Sequence, residues 1–187
     1  MAVRAALLLL PSCVAIAIEW DARRLILVRQ PAAVDAAAVV AHVSDTHGDD
    51  IRYMMTADSE DAKRLLQSLA ESVQPKTLGR LATSQSKSLL EVAPDELVDD
   101  AYSRAVDTRD YILRGTLEGG CSVIIAHESI VELLLLRAAD LESAADDFVR
   151  GVVSVPAVSV LDFGPGSFPW MVADQRPAVQ PSWQPDS

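Results

Sequence analysis

Residues 24–31 read RLILVRQP. Leu25, Ile26, Leu27 and Val28 make an apolar strand that delivers Arg29 and then Gln30 to its end, where Pro31 fixes φ and removes a backbone donor. A second strand lies at residues 122–126, SVIIA, ending in His127 and running into the leucine-rich segment IVELLLLRAA at 130–139. It is apolar without alternation, as a central strand covered on both faces must be. Strands alternating with helices imply an α/β fold, a three-layer α/β/α sandwich with a largely parallel sheet and a ligand crevice at the strand ends. Arg29, Gln30 and His127 are expected to meet in that crevice.

Between these strands the pattern is helical in three places. The alanine- and valine-rich stretch after Pro31 can start a helix, the proline being tolerated in its first turn. Asp58 or Ser59 can cap a helix running through about Ser72, since Ala62, Leu65, Leu66, Leu69 and Val73 recur at helical spacing and Glu60 and Asp61 favour its start. Residues 78–83 read as a strand followed by a helix that carries Lys87. Pro94 introduces another helix, with Leu97, Val98, Ala101, Ala105, Ile112 and Leu113 inward and an end near Gly115. The segment Glu118-Gly119-Gly120 is a turn, too short for a phosphate-binding P-loop.

The 187 residues fit one domain with a sizeable core, half of them being apolar. A formal charge of −11, from 27 acidic and 16 basic residues, opposes binding to nucleic acid, and no basic patch offsets it. Cys13 and Cys121 are far apart and form neither a metal-ligand spacing nor a disulfide framework. Residues 43–49, VSDTHGD, are similar to the opening Asp-x-His motif of metallophosphoesterases, which would make Asp45 and His47 ligands. A dinuclear site needs further histidines, however, and His42, His47 and His127 are the chain's three. The reading is therefore a polar turn, no metal and no cofactor.

The two strand ends resemble those of the histidine phosphatase superfamily, the phosphoglycerate-mutase-like fold, and most of all its small phosphohistidine phosphatases. The resemblance covers roughly residues 23–172, including a C-terminal stretch, 148–172, that looks like the family's final pair of strands. Active members carry Arg-His-Gly where this chain has Arg29, Gln30 and Pro31. The histidine attacks phosphorus, whereas an amide nitrogen whose lone pair is delocalised into its carbonyl is neither nucleophile nor base near pH 7. The resemblance thus implies a pseudophosphatase: no catalytic residue, Gln30 in the nucleophile's position, and a residual anion pocket of Arg29, Gln30, Lys87 and His127. The family's Ser-Pro-x-x-Arg-Ala signature opens a helix and adds a second cation. Its counterpart is taken at residues 83–88, TSQSKS, with Lys87 or, one residue later, Ser88 in the arginine's position. Lysine there is a point charge without arginine's fork. No counterpart of the family's acidic proton donor stands out, and the short span from Gln30 to His127 leaves little room for a substrate cap.

The chain then divides into an apolar N-terminal extension at 1–21, the phosphatase-like domain at 22–173, and an extended tail at 174–187 carrying Pro177, Pro181 and Pro185 around Trp183. The tail is expected to stay outside the fold, as a free terminus or a strap for a partner. The apolar run 5–18 is shorter than the roughly 20 residues of a spanning helix and is broken by Pro11. It suits organelle import, with secretion to a periplasmic or extracellular compartment and a cytoplasmic location as alternatives. The functional expectation is an inactive histidine-phosphatase-fold protein acting as an accessory subunit of a larger assembly, possible at a mitochondrial membrane, with other protein subunits as partners. The alternative is a phosphate sensor, or a residual phosphohistidine or phosphoprotein phosphatase.

Overall fold

The strand spelled by residues 24–31 forms as β1, Arg23–Arg29, with Leu25 to Val28 fully buried. The computed structural model describes residues 23–30, 36–74, 81–116, 120–139, 155–164, 177–180 and 183–185. After β1 come α1 (Ala36–His47), β2 (Ile51–Ala57), α2 (Glu60–Val73), β3 (Ala82–Ser86), a single 3-10 turn (Lys87–Leu89), α3 (Val98–Gly115), β4 (Cys121–Ala126), α4 (Glu128–Ala139), β5 (Val158–Phe163) and β6 (Ala178–Val179). The sheet order is β3-β2-β4-β1-β5-β6. The first four of these strands run parallel, β5 is antiparallel to β1, and β6 is antiparallel to β5.

Crossover handedness explains the layers. The chain moves from β1 to β2 and on to β3 in one direction across the sheet, then returns from β3 to β4 in the other. Right-handed crossovers therefore put α1 and α2 on one face and α3 on the opposite one. The packing agrees: α1 lies against α2, and α3 against α4. With helices on both faces β4 is buried along its whole length, which is why its sequence does not alternate. The result is the three-layer α/β/α sandwich.

Local chemistry fixes the elements. Ser59 is the N-cap of α2, its Oγ accepting from the Ala62 amide at 3.4 Å, and the buried face of that helix is Ala62, Leu65, Leu66, Leu69 and Val73. Ser72 Oγ donates to Ser44 Oγ at 2.8 Å and ties α2 to α1. Arg104 on α3 grips both carboxylate oxygens of Glu96, at 2.6 and 2.9 Å, and donates to the carbonyls of Ser88 and Leu90. That one guanidinium thereby anchors the segment after β3 to the helix.

Four expectations are corrected, and one strand was not expected. Residues 43–47 are the last turn of α1 rather than a polar loop, with Val43, Ser44 and His47 buried. The strand β2 is invisible in the sequence pattern, because IRYMMTA interleaves Arg52, Tyr53 and Thr56 with its apolar residues and carries a bulge between Ile51 and Tyr53. The strand expected at 78–83 is instead Ala82–Ser86, residues 75–80 lying outside those described, and it leads into a 3-10 turn instead of a longer helix. Leu97 is not inward: it is the N-cap of α3 and 69% exposed, because only residues inside the helix inherit its periodicity. The tail is extended, as its prolines require, but it joins the fold. Leu161 and Asp162 pair with Val179 and Ala178, Trp183 bonds Val158 in both directions at 2.9 and 3.1 Å, and its indole stacks on His42 at 4.2 Å. The N-terminal extension, Cys13 and Pro31 lie outside the described residues. Among the described residues no helix is long and apolar enough to cross a membrane.

Ile124 sits in the middle of β4 with no exposure, so Ile124→Ala should lower stability by about 2–5 kcal/mol in chemical denaturation. Tyr111→Ala, on the exposed face of α3, should change it by no more than ~0.5 kcal/mol. A small effect at Ile124 would mean that the sheet centre is not packed as described.

Candidate functional site

Strand register builds the crevice. Arg29 is paired with Ala126, Thr56 with Ile125, and Ala57 with Ser86, so these strands end in one row. One residue further on, Lys87, Asp58, His127 and Gln30 stand side by side at the strand C-termini, in sheet order. The Gln30 amide extends the ladder, donating to the Ala126 carbonyl at 2.7 Å, and the His127 amide donates to Leu89 at 3.1 Å. Arg29, Gln30 and His127 thus lie at the ends of adjacent strands, whereas Lys87 follows β3, two strands away from β4.

Their surroundings decide what they can do. The Gln30 side chain accepts at Oε1 from Ser59 Oγ, 3.3 Å away, so the α2 cap also orients that amide. Arg29 is held by Glu128, Nη1 to Oε1 at 3.4 Å, and its buried Nε has no hydrogen-bond partner. His127 accepts at Nδ1 from the Ser129 amide at 3.3 Å, with Ser129 Oγ at 2.9 Å. In the neutral ring the proton then sits on Nε2, which faces Glu91 Oε2 at 3.9 Å.

A further lysine is held at the end of β2. It is Lys63, in the first turn of the helix that Ser59 caps. Its Nζ is 2.7 Å from Asp58 and 3.3 Å from Glu60. Hydrogen bonding to Lys63 holds the Asp58 carboxyl below its ordinary value. Lys87 remains in the row, exposed and without an ion pair among the described residues, while Ser88 lines a groove under α3.

Chemically the crevice holds hydrogen-bond donors without a nucleophile of the expected type, and its cations are largely matched. Arg29 meets Glu128 and Lys63 meets Asp58. An anion entering here must displace carboxylates. The Asp45 and His47 pair does not form a metal site, since residues two apart on a helix point in different directions. Among the described residues no group of three or more His, Cys, Asp and Glu is placed to hold a metal ion. Cys121 is buried, which pushes its thiol up to about 12.

One turn beyond Glu128, Glu132 is only 4% exposed, and burial followed by repulsion from Glu128 pushes its carboxyl up to about 7. The folded chain then keeps a proton that the unfolded chain releases near 4.5. Stability contributed by this group is complete below pH 4.5 and declines as pH rises toward 7, by at most about 1.4 kcal/mol per pH unit. Glu132→Gln should flatten that slope in denaturation midpoints measured from pH 4.5 to 8. Asp58 and Glu96, both lowered, act in the opposite sense and at lower pH; His42 and His47, lowered by burial, oppose it just below pH 6.5, so the difference between the variant and the unsubstituted protein isolates Glu132.

No family model matches the chain, and no curated protein does. Solved structures do. A phosphoglycerate mutase from Plasmodium falciparum superposes with a TM-score of 0.61 at 14% identity, covering 89% of this chain and 96% of its own. A mycobacterial hydrolase gives 0.63 at 14% identity over 89% and 94%. Mycobacterial glucosyl-3-phosphoglycerate phosphatase gives 0.62 at 14% identity over 87% and 99%. The chain has the phosphoglycerate-mutase-like fold of the histidine phosphatases.

Proposed function

We propose that this chain, built on the histidine phosphatase fold, is a catalytically inactive member of that architecture that works as a binding or structural subunit of a larger protein assembly. The observation that carries the reading is Gln30. It stands beside His127 at the strand ends, where phosphoryl transfer on this fold would use a histidine, and Ser59 holds its amide in place. An amide can neither attack phosphorus nor take up the proton of an attacking water. The carboxylates on Arg29 and Lys63 add to this by opposing the charge of a phosphoester. The apolar run at 5–18 supplies a segment suited to a membrane-associated assembly, the mitochondrial one being the proposed location.

A second reading, a phosphate sensor, is favoured by the unpartnered Nε of Arg29 and by the exposed Lys87. Sensing needs no nucleophile, only donors that reward an anion for displacing Glu128.

The full-length protein should hydrolyse neither p-nitrophenyl phosphate nor a phosphohistidine peptide above background, and native fractionation from its own cells should find it in a large complex. Turnover that His127→Ala abolishes would overturn the inactive reading. Calorimetry with inorganic phosphate decides the second one: a sensor loses binding in Arg29→Ala and gains it in Glu128→Gln, and equal heats for all three proteins would exclude it.

A further inference from the structure

The face of the sheet under α3 is only partly covered. Toward β2 and β3 it opens into a cavity of about 400 Å³ that includes Ser84, Ser86 and Thr108, and a neighbouring one of about 630 Å³ that includes Ala82 and Ile112. Both are bordered by Tyr53, Asp107 and Tyr111, so they form two compartments of one groove. Its floor is sheet and its wall is α3.

The charges of the wall are unevenly used. Arg104 is committed to Glu96, and Asp110 is held by Arg109 at 2.6 Å. Asp107, between the compartments, is exposed and has no ion pair or hydrogen bond among the described residues. Arg114 stands at the far end of the larger compartment. Tyr111, 67% exposed, offers an aromatic surface beside them.

The rim of the groove is the edge strand β3. It pairs with β2, and among the described residues no strand pairs with its other edge. Its sequence, ATSQS, has neither the proline nor the charge that usually guards such an edge. The opposite edge of the sheet is different, because Ala178, Val179 and Trp183 pair with β5 there.

We propose that β3 and the groove under α3 bind an extended peptide, which adds as a further strand and places a basic side chain against Asp107 and an apolar one in the compartment of Ala82, Tyr53 and Tyr111. Side chains two residues apart on one face of a strand are separated by roughly 6.5 Å, which suits adjacent compartments. The uncompensated Asp107 and the chain's net charge of −11 select a cationic partner. Arg114 limits the basic character to one position by repelling a second cation at its end. This binding stands on residues outside the strand-end crevice and does not depend on whether the crevice is inactive.

Selection of a displayed random dodecapeptide library on the full-length protein, with Asp107→Asn protein as competitor, tests it. Enriched peptides should carry lysine or arginine at a fixed position two residues from an apolar one. The most enriched peptide, made synthetically, should shift the backbone amides of residues 82–86 in nuclear magnetic resonance spectra. It should bind on the order of fivefold more weakly to Asp107→Asn, the size of one exposed ion pair, and about tenfold more weakly to Tyr111→Ala. Both positions are on the exposed wall, so an unchanged unfolding midpoint certifies the variants. Absence of enrichment, indifference to both substitutions, shifts centred away from β3, or a concentration-dependent dimer that uses β3 without peptide would each overturn the proposal.

Discussion

The parallel pairing of β1 with β4 is the constraint on which the rest depends. Both strands are bonded on two sides and their apolar residues are buried on both faces, so the packing pins their register. That register fixes Arg29 opposite Ala126 and therefore sets Gln30 next to His127. The crevice is a by-product of core packing: the apolar residues choose the alignment, and the polar residues at the end of each strand are carried to a common edge.

At that edge the side chains are matched to one another. Glu128 sits on Arg29, Asp58 on Lys63, Ser59 on Gln30 and Ser129 on His127. A site preorganised for an anionic transition state keeps its donors aimed at the space where charge develops. Here much of that field is spent inside the protein. The same helix that supplies Glu128 also buries Glu132, one turn on, where a desolvated acid retains its proton near neutrality.

The two edges of the sheet are handled in opposite ways. On one side the tail lies along β5, with Trp183 stacked on His42 and Gln184 accepting from the Ala157 amide at 2.8 Å. On the other side β3 presents an uncharged polar edge beside a groove with an unmatched carboxylate.

The sequence by itself determined the elements whose burial is written in their composition. The unbroken apolar runs at β1 and β4 announced central strands, and the spacing from Ala62 to Val73 announced α2 and its inward face. That residue 30 is an amide was legible too, because what an amide can do is a property of the residue. Tertiary structure alone decided the rest. The β2 strand is hidden because its burial comes from neighbours on both sides rather than from its own alternation. The tail became a strand because an exposed edge of β5 was there to pair with, and backbone hydrogen bonds to that edge do not depend on side-chain identity.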